Sequence, residues 1–204
     1  FGPWLAPHAL EDFTFLLALM PPAWMEGGDP AYPLGTDNLG RDVLSMVILG
    51  ARFSALAALA GVAVAGTAGT LIGLVAGYAR GPVDAVAMRL VDMQMSVPGV
   101  LMGILIGAAL GPGFDTVVIA VAATFWPLYA RVARAEALGL RERPYVEMAA
   151  IAGASHGWPL RRHILPHLLN TILVLAALQF GLAIILEAGL TFLGLGIQAP
   201  DAAW

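Results

Sequence analysis

Gly153-Ala154-Ser155-His156-Gly157 has the G-x-S-x-G spacing of a serine nucleophile elbow, in which a sharp strand-to-helix turn presents the hydroxyl to an acyl carbon. The surroundings oppose that chemistry. The residues before Ser155 read as helix rather than strand, and Trp158-Pro159 follows at once. His163 and His167 stand at i and i+4, the spacing of paired zinc ligands. Ile164 occupies the position where such a motif carries its glutamate, however, and Pro166 disturbs the helix between them, so no metal site is expected. All ten basic residues are arginine, which excludes a Walker A phosphate loop, a Schiff-base lysine and a lysine-rich nucleic-acid tail. If the chain uses ATP, another chain must bind it. The absence of cysteine removes disulfides, thiolate catalysis and sulfur-ligated metals. The chain is therefore read as a non-enzyme, without a cofactor of its own and without a nucleic-acid partner.

Those few polar groups sit among elements of extreme composition. Of 204 residues, 59% are hydrophobic and only 12% charged, with a mean hydropathy of +0.82. A soluble domain of this size cannot hide so much apolar surface inside itself. A membrane-crossing helix needs roughly 20 apolar residues to span about 30 Å of hydrocarbon. Four stretches are candidates: Phe53 to Ala79, charge-free between Arg52 and Arg80; Met93 to Phe114, with Pro98 near its start; about Thr116 to Ala130, which is short although Trp126 and Tyr129 suit an interfacial end; and Leu168 to about Phe192, interrupted by Glu187. The fold expected is an all-α integral membrane protein, a polytopic helical bundle.

Arginine counts orient it. Arg131, Arg134, Arg141, Arg143, Arg161 and Arg162 lie between the third and fourth spans, and Arg80 and Arg89 between the first and second. Cytoplasmic loops retain positive charge, so both loops are expected inside. Residues 1–42, with six acids and only Arg41, are expected to form an external segment, and 43–204 the transmembrane part. The opening at Phe1 and the loop-like close at Trp204 suggest a fragment, with at least one span before Phe1.

Ala65, Gly69, Gly73 and Gly77 recur every four residues, as do Gly103, Gly107 and Gly111. Lipid gives helices little hydrophobic reason to associate, so such ridges predict close backbone packing. Glu187 is either a substrate or proton site or a carboxyl hydrogen-bonded to a neighbouring helix or loop near the external end; the nearby Gly194-Leu195-Gly196 favours the second. Arg89 and Asp92 read as a helix-surface pair at i and i+3. Gln94 and Gln179 either line a polar pathway or, more simply, hydrogen-bond between helices.

Residues 131–167 are too ordered in composition for a linker. A basic helix end reaches about Arg143, Pro144 starts a short apolar helix, and Gly153 suits its C-terminus. Val146, Ala149, Ala150 and Ile151 have no core of their own there. A groove on a partner would receive them, and so would the chain's own bundle or the membrane surface.

Glu147-Met148-Ala149, then Gly153, then Ile164-Leu165-Pro166 resembles the cytoplasmic EAA loop of permease subunits of bacterial binding-protein-dependent ABC importers. Pro33-Leu34-Gly35-Thr36-Asp37-Asn38-Leu39-Gly40-Arg41-Asp42, with Gly50-Ala51-Arg52, and Glu187 through Gly196 resemble the dipeptide/oligopeptide/nickel branch, in particular its C-type permease. Met148 departs from the alanine of the family motif but keeps the helix apolar. The resemblance implies a type I importer permease with six spans in the full chain, one before Phe1 and one after Trp204. It also implies a multi-pass subunit of the bacterial inner membrane, surrounded by lipid, that imports small peptides while a separate ATPase binds ATP and magnesium. Nickel or another small solute is the alternative cargo, and an ion-coupled carrier using Glu187 a rival mechanism. Tyr145, Glu147, Met148, Ala149, Ala150 and Gly153 would belong to the coupling helix seated on the ATPase, with Ile164, Leu165 and Pro166 setting how the loop re-enters the membrane. Asp37, Gly40, Arg41 and Asp42 would begin an interfacial helix, capped by Thr36 or Asp37, where a periplasmic or lipid-anchored substrate-binding protein docks; simple capping and surface pairing is the equal alternative. A second permease subunit, in a heterodimer, completes the implied partners.

Overall fold

Charge-free runs punctuated by proline, glycine and arginine fold into helices whose ends fall at that punctuation. The computed structural model describes residues 6–9, 14–141, 143–144, 148, 162 and 164–197. Its long helices are α1 (Val43–Ala79), α2 (Gly81–Met95), α3 (Gly99–Leu110), α4 (Phe114–Arg141) and α5 (Leu165–Phe192), preceded by a 3-10 turn at Phe15–Leu17. The all-helical bundle expected from the sequence is what forms, and α1, α4 and α5 are each long and apolar enough to cross a membrane.

Helix α1 begins ten residues before the span expected at Phe53. Asp42 provides the reason: its carboxylate accepts from the backbone N–H groups of Leu44 and Ser45, satisfying donors that a helix start leaves unpaired. At 37 residues α1 is about 55 Å long, well over the hydrocarbon thickness. It ends at Arg80 and Gly81, both with positive φ, and α2 starts directly, with proline in its first turn.

The expected single span from Met93 to Phe114 does not form. Proline lacks an N–H and forces the preceding residue away from helical geometry, so Pro98 ends α2 at Met95 and lets α3 start only at Gly99. The two helices meet at 86° and together make a broken span or a re-entrant loop. With 12 residues, α3 is about 18 Å long, too short to cross alone. Helix α4, by contrast, runs beyond the expected end at Ala130 to Arg141 and carries Pro127 inside it. Arg131, Arg134 and Arg141 therefore stand on the basic helix end expected to reach about Arg143, which is continuous with the span.

Helices α1 and α4 form the most extensive contact and run parallel, because successive glycines of α1 meet successively later residues of α4. A Cβ at Gly61 would strike Val121, at Gly69 the Trp126 carbonyl, at Gly73 the Ala130 carbonyl, and at Gly77 the Arg134 carbonyl at 2.7 Å. Ala65, between them, is fully buried. The second ridge is shorter than expected. Gly103 lies against Leu186 and Leu190 and Gly107 against Leu195, but a Cβ at Gly111 would meet nothing within 4 Å, and Gly111 instead ends α3 at φ 82°. The main core joins Ala57, Ala58 and Val62 of α1, Val117 and Val121 of α4, and Leu186 and Leu190 of α5. Outward faces carry exposed Leu59, Val64, Leu105, Leu173, Leu178 and Ile185, a distribution suited to hydrocarbon.

Replacing Gly73 by alanine should therefore destabilise the full-length protein by about 1–3 kcal/mol through overpacking. Gly139→Ala, where nothing lies within 4 Å, should be neutral or gain helix propensity. Thermal unfolding in detergent checks both, and equal midpoints for the two variants would contradict the backbone contact.

Candidate functional site

At the start of α1, the loop 35–42 is folded tightly on itself. Asp37 Oδ1 accepts from the backbone N–H groups of Leu39 at 2.8 Å and Arg41 at 2.9 Å, while its Oδ2 accepts from Arg41 Nε at 2.8 Å. Burial pushes the Asp37 carboxyl up, but the two backbone donors and the Arg41 guanidinium outweigh it, so its pKa lies below the ordinary carboxylate value. Gly40 has φ 77° and packs where a Cβ would strike the Thr14 carbonyl, which only glycine permits. Asp42, 3% exposed, is the true N-cap, in place of the expected Thr36 or Asp37. It also accepts from Ser45 Oγ, and His8 approaches it at 3.4 Å while stacking on Tyr32 with ring centroids 4.6 Å apart. No separate interfacial helix forms among the described residues; the loop leads straight into α1. His8 lies 34 positions from Asp42, a contact with no local signal in sequence.

The other end of α1 and the adjoining α2 are tied to α4 by arginines. Arg134 forks onto Asp84, with Nη2 to Oδ2 at 2.6 Å. Asp92 pairs with Arg131 at 2.7 Å, so the expected Arg89–Asp92 pair is replaced by a bridge from α2 to α4. The long arginine reaches across because the ion pair then joins two helices that pack side by side. Arg141 donates to the Tyr78 carbonyl near the end of α1, and its guanidinium lies 5.3 Å from the Tyr78 ring centroid. Around this clamp, Leu74, Ala137, Leu140 and Ile164 form a second core cluster, with Leu165 packed against it. Ile164 is thus fully buried within this cluster. Pro166 and Met148 are exposed. Tyr145, Glu147, Ala149, Ala150 and Gly153 lie outside the described residues, as do Ser155 and His163. Among the described residues, no group of three or more metal-ligating side chains converges.

Two polar features lie deeper. Glu187 is fully buried, and its Oε1 accepts from Thr191 Oγ at 2.9 Å. The bond is to its own helix one turn on, where a partner on a neighbouring helix or loop was expected, and Oε2 has no partner among the described residues. Gly196 closes over Thr191, where a Cβ would collide with its hydroxyl. Gln94 meets the expectation of bonding between helices: Nε2 donates to the Ala123 carbonyl on α4 at 3.1 Å. The choice of carbonyl has a cause. Pro127 has no N–H for the carbonyl four residues earlier, so Ala123 is the acceptor that the helix leaves open. The sequence reading singles out Gln94 but not Pro127 or Ala123, although Pro127 and the i−4 rule were enough to mark the Ala123 carbonyl.

Residues 69–204 match the family described as binding-protein-dependent transport system inner membrane component. The chain belongs to that family. It is 41% identical over 205 residues to the di/tripeptide transport system permease protein DppC of Pseudomonas aeruginosa, covering all of this chain and 67% of that protein. It is 39% identical to the probable D,D-dipeptide transport system permease protein DdpC of Escherichia coli, covering all of this chain and 66% of the relative. To the glutathione transport system permease protein GsiD of Pectobacterium atrosepticum it is 41% identical over 179 residues, 88% of this chain and 60% of the relative. The chain thus spans about two thirds or less of these relatives' length.

As an inner membrane component it resides, as expected, in the bacterial inner membrane as a multi-pass helical subunit. The internal ties just described then act inside or at the edge of lipid, where an unmet polar group costs more than in water. Gln94→Leu should destabilise by about 1–3 kcal/mol by stranding the Ala123 carbonyl, and Pro127→Ala in the same protein should recover part of that loss because residue 127 regains its N–H. A double-mutant cycle of unfolding free energies reads the coupling. At the other end, Asp37, with its lowered pKa, stabilises the loop above the ordinary carboxylate range and loses this effect as pH falls through its own value. Hydrogen exchange at Leu39 and Arg41 should accordingly speed up in Asp37→Asn at pH 7, and the difference from the unaltered protein should vanish in strong acid.

Proposed function

We propose that this chain is the permease subunit of an importer that carries small peptides across the inner membrane, with no enzymatic activity of its own, driven by ATP hydrolysed on a separate ATPase. The observation that carries the reading is similarity along the whole chain to permeases named for dipeptides and tripeptides. A second permease subunit and an external binding protein complete the assembly in this reading. The segment between Arg141 and Ile164, containing Tyr145, Glu147, Met148, Ala149, Ala150 and Gly153, docks on the ATPase, and the loop of Asp37, Gly40, Arg41 and Asp42 faces the binding protein.

Physical support comes from stiffness. A docking segment transmits force only if both its ends are anchored in something rigid. One end leaves α4 at Arg141, which is bonded to the Tyr78 carbonyl; the other returns through Ile164, buried against Leu74, Ala137 and Leu140. A push on the segment therefore moves α1 and α4 as one body, and α4 carries α2 with it through Arg134–Asp84 and Arg131–Asp92.

Proteoliposomes holding the full-length chain with its partners test the reading. Uptake of dialanine should require ATP and the ATPase and survive collapse of the proton gradient; uptake without the ATPase would refute it. Arg141→Gln should lower the peptide carried per ATP by about 0.5–2 kcal/mol of coupling, with ATP hydrolysis itself continuing.

A further inference from the structure

Beside the break between α2 and α3 lies a cavity of about 310 Å³, walled by that break, by α4 around Pro127 and by α5. Its polar lining consists of Gln94, Thr124 and Gln179, and its apolar lining includes Met95, Met102 and Phe125. Gln179 is only 4% exposed, and its side chain lines this space. A primary amide carries two donors and an acceptor, and burying it unpaired is costly unless something in the cavity meets it. Gln94, held in place by its bond to the Ala123 carbonyl, lines the same space.

Resting on the permease reading above, we infer that this cavity is a waystation of the translocation path, where Gln179, with Gln94 and Thr124, hydrogen-bonds the backbone amide of a small peptide in transit. Three observations converge. First, interrupted helix at membrane depth is tolerated where it is buried in protein or lines a water-filled cavity, and transporters place substrates at such interruptions; the 86° break sits against this space. Second, the described lining holds no ionisable side chain. Neutral amides pair with a peptide bond whatever the peptide's side chains, and they hold it weakly enough to release it. Third, methionine and phenylalanine adapt to side chains of varied shape, which suits a cargo defined by its backbone. The volume falls at the low end of the about 300–1,000 Å³ typical of small-molecule sites, which suits two or three residues and excludes long peptides.

The test uses the complete transport complex in proteoliposomes, with radiolabelled dialanine and trialanine as probes. Gln179→Leu keeps the bulk and removes the amide. It should lower peptide uptake about two- to tenfold, the scale of a lost neutral hydrogen bond, while assembly and the ATPase rate persist, and Gln179→Asn should recover part of the uptake. In parallel, Thr124→Cys adds a thiol to a chain that has none in these 204 residues. A small water-soluble thiol reagent should label it, and dialanine during turnover should slow the labelling, with the unsubstituted complex as background. If the unaltered complex imports neither peptide, the permease reading falls and this inference with it. If the unaltered complex imports them and Gln179→Leu does so equally well, the inference alone is overturned. Should Gln179→Leu fail to assemble, protection of Thr124→Cys supports the inference and its absence overturns it.

Discussion

The bundle depends on one contact, the approach of α1 to α4 close enough that glycines of one helix lie under backbone carbonyls of the other. In water such a pair would be drawn together by burying leucine and valine. In hydrocarbon that drive is nearly absent, and dispersion between closely fitted surfaces takes its place. Dispersion falls off within a fraction of an ångström, so the spacing of Gly61, Ala65, Gly69, Gly73 and Gly77 matters more than any one side chain. Many bulky residues of α1 follow from this choice: Leu56, Leu59, Val64, Leu71 and Val75 are exposed, a distribution suited to lipid.

Once two helices are fixed so closely in parallel, the chain between them has to make a return crossing. Helices α2 and α3 do so with a sharp bend, and the bend has a polar cost. Prolines appear at both sides of it, Pro98 in the connection and Pro127 in the facing wall, and each removes a backbone donor. Gln94 offsets the second loss by donating to Ala123. The same geometry that needs a glutamine for structure thereby opens a space with amide groups around it, so structural repair and a polar interior arise from a single irregularity.

Helix existence was legible because long charge-free runs allow little else, and the small-residue ridge of α1 was legible because its period of four survives in any helical arrangement. Helix ends were less so. The start of α1 at Val43 turns on which of several aspartates caps it, and Asp42 wins through His8 and Ser45, one of them distant in the chain. The Met93 to Phe114 span failed because apolar content counts residues without asking where Pro98 points the chain. The basic helix end through Arg131 and Arg134 was legible, but their aspartate partners on α2 were not, because the ion pairs join positions 39 and 50 apart. Glu187 was singled out correctly as costly, yet its partner Thr191 lies on the same helix, a local bond that the search for a neighbouring helix or loop overlooked.

Two ends of one bundle thus carry different kinds of order. Near Asp42 the loop is held by the bonds of Asp37 and Asp42 and by contacts with the segment before it, from His8 to Ser45 and Asp42 and from Met20 to Thr36, all of them outside the contacts between helices. Near Arg141 the ties run between helices and cross from α4 to α1 and α2. Local bonds let a surface be shaped without moving the bundle, whereas interhelical ones make neighbouring helices respond together to force applied at the loop. On the proposed reading, a subunit that receives motion on one side and presents a stable face on the other uses that asymmetry, and Arg131, Arg134 and Arg141 create it.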